Sequence, residues 1–166
     1  MSGDRKQTPW KMPPLVKVYE AMGAIADGRV ALHDDGTGIV TSSEGDKTYT
    51  VQIAADGREI AANDNASYWQ GYLGYPAIAI LILRGLFAPE PSVLDALKNI
   101  PWKEINRRNR NDWDRTIAEV ERQAGEKGQD IATIRAVAES ILAALRSLAP
   151  YRTRRLRPPA IKAAAP

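Results

Sequence analysis

The chain has 166 residues, 44% hydrophobic and 26% charged, the balance of an ordinary globular protein long enough to bury a core. It contains no cysteine and one histidine, His33, which excludes disulfides and thiolate metal sites and leaves only carboxylates to complete a zinc site. The net charge of +3 is unevenly spread: all 20 acids precede residue 150, whereas five of the 23 basic residues (Arg152, Arg154, Arg155, Arg157 and Lys162) follow it. No cofactor and no metal is implied.

In chain order, residues 1–13 are polar, punctuated by proline, and lack the apolar core of a signal peptide, so they read as a flexible arm of a cytoplasmic protein. Pro13 and Pro14 stand where proline favours a helix start. Apolar side chains then recur at 15, 18, 19, 22 and 25, the spacing of a buried helical stripe, which Asp27-Gly28 ends. Turn signals at Asp35-Gly36, Glu44-Gly45-Asp46 and Asp56-Gly57 separate short alternating runs at 29–33, 37–42, 47–53 and 58–62. That pattern predicts a four-stranded antiparallel meander with one wet face.

From Pro76 the period turns helical. Residues 76–87 are apolar nearly all round, which predicts a buried central helix with Ile80 and Leu83 in the core. Residues 77–83 are too few to span a bilayer, and Arg84 follows at once, so no membrane contact is expected. Pro91-Ser92 opens a further helix, with Ser92 and Asp95 at capping-box spacing. Pro101 opens a long charged helix reaching Glu126, and Asp130 caps a last helix with the stripe Ile131, Ile134, Val137, Ile141, Leu145 and Leu148. The two form a C-terminal helical hairpin. The fold class is therefore α+β: one domain over 14–149, with 14–99 its sheet-plus-helix part and 100–149 the hairpin. Residues 150–166 follow as a basic flexible tail whose removal should leave stability nearly unchanged.

The richest stretch for function is Asn63–Pro76, a turn-rich loop of aromatics, amides and glycines running into the central helix. Residues 49–83 resemble the SWIM zinc-finger module. Tyr49-Thr-Val51 matches its first strand, Asn63-Asp-Asn65 holds the Cys-x-Cys place and Gly74-Tyr-Pro76 the Cys-x-His place. Ala77–Leu81 matches the helix that follows. Every metal ligand is missing, so the resemblance implies a ββα scaffold without zinc, in a module type associated with DNA or protein binding. The loop-to-helix stretch also resembles small uncharacterised prokaryotic proteins.

Trp69 and Tyr72 are candidate stacking platforms for single-stranded nucleic acid, DNA or RNA. As alternatives, an indole beside a core helix is expected to be buried, whereas Tyr72, flanked by Gly71 and Gly74, is expected to be open. Positive charge would come from Arg107, Arg108 and Arg110 on the long helix and from Arg152, Arg154, Arg155 and Arg157 in the tail. His33-Asp34-Asp35 and Asp64 read as turn chemistry, with no second cluster to make a catalytic site. Two functions stay open: a non-enzymatic nucleic-acid-associated module, or a protein-interaction subunit using the aromatic loop and the hairpin. In the second, the stripe of the last helix would meet a partner or another copy of the chain.

Overall fold

The computed structural model describes residues 5–160. Its centre is a four-stranded antiparallel sheet in the order β2 (Val30–Leu32), β3 (Thr37–Thr41), β4 (Thr48–Ile53), β5 (Ile60–Ala62), the meander read from the three turn signals. Register follows the pleat: Gly38 pairs with Val51, and Val40 with Tyr49, so Val40, Tyr49, Val51 and Ile53 all point to one buried face. Helix α2 (Tyr75–Leu81) lies on that face, and its own far side packs on α1 (Leu15–Ala26). Because α2 is sandwiched, it has no wet side, and residues 76–81 are buried throughout. The class is α+β.

The central helix is shorter than its composition suggests. After Leu81 the backbone widens over Ile82–Leu86, Gly85 sits at φ 108, and Phe87 is extended. Leu83, expected in the core, is therefore 43% exposed, since the segment has left the α1–sheet sandwich by that point.

The expected single helix over 101–126 is two helices, α4 (Trp102–Arg108) and α5 (Trp113–Glu126). Arg110 and Asn111 between them adopt left-handed backbone, and Asp112 restarts the helix by accepting the Arg115 amide. An Asp cap and a left-handed pair make a break that charge content alone conceals. Helix α3 (Pro91–Ala96) starts without the expected capping box: its first turn follows Glu90, and no side chain caps it. Helix α6 (Ile131–Leu148) does carry the Asp130 cap, which accepts from the Thr133 amide and hydroxyl. Ile134, Ala138, Ile141 and Leu145 are buried, and α6 packs on α1, α3 and α5. Its apolar stripe is thus used inside the chain.

The two ends depart most from expectation. Residues 8–13 are not a free arm, and residues 150–155 are not a free tail. Thr8–Pro9 (β1) pairs antiparallel with Tyr151–Arg152 (β6), and Tyr151 bridges in parallel to Glu59 at the start of β5. Trp10 is 5% exposed, and its indole nitrogen donates to the Ile60 carbonyl at 3.1 Å. Two-residue strands are too short to show periodicity, so the pairing left no pattern to read.

Candidate nucleic-acid interface

The site is built where the two ends meet the aromatic loop. Arg58 clasps the end of α6, donating to the carbonyls of Leu148 and Ala149 at 3.1 Å each, and its guanidinium lies 5.6 Å from the Tyr151 ring centre. Ala149 takes left-handed backbone, which turns the chain back along β5. Tyr151 then donates to Asp56 at 2.6 Å, and that bond, with the amides of Glu59 and Arg58, pulls the Asp56 carboxyl down to about 2. The N-terminal segment closes over the other side: Trp10 donates its amide to Pro150, and Lys11 donates its amide to Gly71. Residues 8–11 therefore lie between the C-terminal segment and the loop, touching both.

The loop is held from beneath by a buried carboxylate. Asp64 is 5% exposed and accepts the Ser67 amide at 3.1 Å and the Ser67 hydroxyl at 2.6 Å, and Ser67 Oγ in turn accepts the Gly74 amide at 3.1 Å. Burial pushes the Asp64 carboxyl up, and the Ser67 bonds oppose that shift. Ser67 is itself buried, and its hydroxyl is committed to this latch. Asn63 is also used structurally, accepting the Thr50 amide at 2.7 Å. A Cβ at Gly74 would fall 1.9 Å from Asp64 Oδ2, inside any contact distance. Gly74→Ala should therefore displace the carboxylate and cost about 1–3 kcal/mol, the scale of a broken buried hydrogen bond. Chemical denaturation measures it, and a loss within error of zero would mean that the latch can re-form around a methyl group.

The latch decides which aromatic faces water. Residues Ala66–Gln70 form one wide helical turn with Ser67 on its inner side. Two residues on, on the opposite side of that turn, Trp69 points outward and is 69% exposed. The expectation of a buried indole is thereby corrected: the loop, not the central helix, sets its direction. Tyr68 meets Trp69 edge-on at 4.7 Å. Tyr72 is half-buried, bridged through its backbone to Lys11, and burial raises its hydroxyl pKa. It is less open than its glycine neighbours suggest.

Arginines from the tail reach this loop. Arg155 donates to the Tyr68 carbonyl, and its guanidinium lies 4.4 Å from the Tyr68 ring centre. Arg154 donates to the Gln52 side chain, and Arg152 lies 5.2 Å from the Trp10 ring centre. With Arg5, Lys6, Thr8 and Thr153 they line a cleft of about 390 Å³ that has no acid among its walls. Arg157 follows, exposed. Sequence reasoning missed Arg5, Lys6, Lys11 and Trp10, although a tryptophan inside a polar arm was the available signal.

Arg107, Arg108 and Arg110 belong elsewhere. Helix α4 is buried through Trp102 and Ile105, Asn106 donates to Glu20 at 2.8 Å, and Lys103 pairs with Glu44 at 3.0 Å. Arg108 is taken by Glu119, with Glu104 at 3.7 Å. Among the described residues no hydrogen bond or ion pair links these three arginines to the tail cleft.

Over residues 10–151 the chain matches the family described as Uncharacterised conserved protein UCP014422. The chain belongs to that family. The matched span runs from Trp10 to Tyr151, the anchor of one end segment and the hook of the other. The match brings no zinc-finger assignment, so the SWIM resemblance gains no support from it. No curated protein and no solved structure matches. Among the described residues no group of three His, Cys, Asp or Glu could hold a metal ion, and no helix is long and apolar enough to cross a membrane.

Proposed function

We propose that this chain is a non-enzymatic binding module for single-stranded nucleic acid, acting in the cytoplasm. One observation carries the reading: an acid-free cleft of Arg5, Lys6, Arg152, Arg154 and Arg155 adjoins an exposed indole, Trp69, through the Arg155–Tyr68 contact. Cations that follow a phosphate backbone beside an aromatic face are what sequence-tolerant single-strand binding requires. The cations are also pre-placed, because Arg154 and Arg155 are already tethered to Gln52 and Tyr68, which reduces the side-chain freedom given up on binding. The candidate set is narrowed accordingly to the tail arginines, Arg5, Lys6 and Trp69. Arg107, Arg108 and Arg110 fall outside it, and Tyr72 is at most a flank. A protein-interaction role through the hairpin is less well supported, since the α6 stripe is buried within the chain.

The test is fluorescence anisotropy of a labelled oligonucleotide across a salt series. Affinity should fall with salt. Removing one phosphate-binding cation, by Arg152→Ala, Arg154→Ala or Arg155→Ala, should flatten the log–log slope by about 0.7. Trp69→Ala should weaken binding by about 1–3 kcal/mol, with an unchanged melt because the side chain is exposed. A salt-independent affinity, or full binding by Trp69→Ala, would remove the reading.

A further inference from the structure

Among the described residues, α2 is the helix that packs on the sheet, and it lies on one side only. Alternation puts Ala31, Thr37, Ile39, Thr41, Thr48, Thr50 and Gln52 on the other side, opposite the buried set that meets α2. The face is part-exposed, and the outward side chains of β3 and β4 are uncharged, with the Asp35 carboxylate accepting from the Thr37 hydroxyl at one end. Its β5 border is set by the C-terminal segment: Ala61, on the same side as its partner Gln52, is buried and shares a cleft with Glu59, Thr153 and Arg154. Arg154 reaches onto the face itself by donating to Gln52. The next residue, Arg155, lies on Tyr68, whose ring adjoins Trp69. The uncharged strand face, the two arginines and the exposed indole are therefore one continuous surface.

Resting on the single-strand reading, we infer that the outer face of β3 and β4 is the continuation of the site, and that a single strand leaving Trp69 lays its next nucleotides across Ile39, Thr41, Thr48 and Thr50. The assignment follows from charge and shape. A polyanion needs a path clear of carboxylates, and the side chains of Ile39, Thr41, Thr48 and Thr50 give one: Glu59 and Asp35 lie beside Ala54 and Thr37, at the other end of the strands, and Arg154 stands at the β5 border. Threonine hydroxyls both donate and accept, so they can meet base edges, sugars or phosphate oxygens without selecting one base. Ile39, half-exposed between them, offers an apolar contact to a base or sugar. An open sheet is a common bed for splayed single strands. Here the stacking aromatics would stand at its margin, on the loop, and not on the strands.

The experiment uses the full chain and oligothymidylates of about 4 and about 15 nucleotides, which bracket the footprint of single-strand sites. Ile39→Glu and Thr48→Glu place a carboxylate on the face, and Ile39→Lys and Thr48→Lys place a cation. Ala136→Glu and Ala136→Lys on exposed α6 correct for net charge. Beyond that correction, either Glu variant should weaken the longer oligomer by about fivefold, as one charge contact near water does. The Lys variants should strengthen it, and the short oligomer should be unaffected by either. Thr48 is exposed, so its variants keep the test intact if Ile39→Glu perturbs folding. If the sheet variants leave the longer oligomer unchanged while Arg155→Ala weakens it, the sheet is not part of the path and the single-strand reading stands. If Arg154→Ala and Arg155→Ala also leave both oligomers unchanged, the inference and the reading fall together.

Discussion

Gly38→Ala should destabilise the fold by about 1–3 kcal/mol, the range for overpacking a core, and Ile80→Ala by about 2–5 kcal/mol through the cavity it leaves. The two sites are one contact. Strand β3 passes so close under α2 that a Cβ at Gly38 would fall 2.2 Å from Ile80 Cδ1 and 2.6 Å from its Cγ1. Ile80 is fully buried, so the strand cannot ease away from it without opening the sheet–helix seam. The double variant Gly38→Ala/Ile80→Ala should then cost less than the two singles added, by about 0.5 kcal/mol or more, because the new methyl enters space the isoleucine has left. Leu83→Ala serves as the contrast within the same apolar run. It is 43% exposed past the end of α2 and should cost less than about 1 kcal/mol. Urea titrations of the four variants decide the matter. Strict additivity would mean that glycine at 38 serves the strand's backbone and not its fit to α2.

These contrasts show where the sequence could be read and where it could not. The meander was legible because Asp35-Gly36, Glu44-Gly45-Asp46 and Asp56-Gly57 mark turns by backbone chemistry, and three glycines there (36, 45 and 57) do adopt positive φ. Helix α6 was legible because it buries one face, which imposes the 3.6-residue period; α1 shows that period in its large apolar side chains, although residues 18–24 are buried all round, the small Ala21, Gly23 and Ala24 among them. The end of the central helix was not, because Ile82, Leu83 and Leu86 continue the apolar run after the sandwich has ended. Hydrophobicity there records a segment's composition, not its partner. The break at 109–112 was hidden for a related reason: Arg110 and Asn111 look like any polar helix surface, and only their left-handed backbone distinguishes them.

The candidate site was half visible. Its loop stood out by composition, and its tail arginines by the absence of acids after residue 150. What joins them could not be seen, since it rests on contacts between residues 50 or more positions apart, such as Trp10 with Ile60 and Arg155 with Tyr68. Trp69 illustrates the same limit. Its exposure follows from a latch between Asp64, Ser67 and Gly74 whose members look, one by one, like ordinary loop residues.

Trp10→Ala should unfold or severely weaken the chain, with a loss of about 3–5 kcal/mol, as for other buried Trp→Ala changes. The indole is 5% exposed, its nitrogen donates to Ile60, and its ring supports Arg152. Its backbone amide bonds to Pro150 and that of Lys11 to Gly71, so the same residue seats the C-terminal segment and borders the loop. Trp10→Phe separates the two roles. It keeps much of the apolar contact and the aromatic face under Arg152 but removes the indole donor, leaving the Ile60 carbonyl without that partner, and should cost about 1–3 kcal/mol. Deleting residues 150–166 should likewise lower stability, against the expectation for an unattached tail, because it removes β6, the Tyr151–Asp56 bond and the cover over β5. In Trp10→Ala and in the deletion, oligonucleotide affinity should drop by more than the folded fraction accounts for, since Arg152, Arg154 and Arg155 are displaced or deleted, whereas in Trp10→Phe, which keeps the face under Arg152, it should follow the folded fraction. Circular dichroism melts paired with anisotropy on the same samples measure both effects. A Trp10→Ala protein that melts like the parent would show that the N-terminal segment is not docked in solution. The cleft between the two ends would then lose its physical basis.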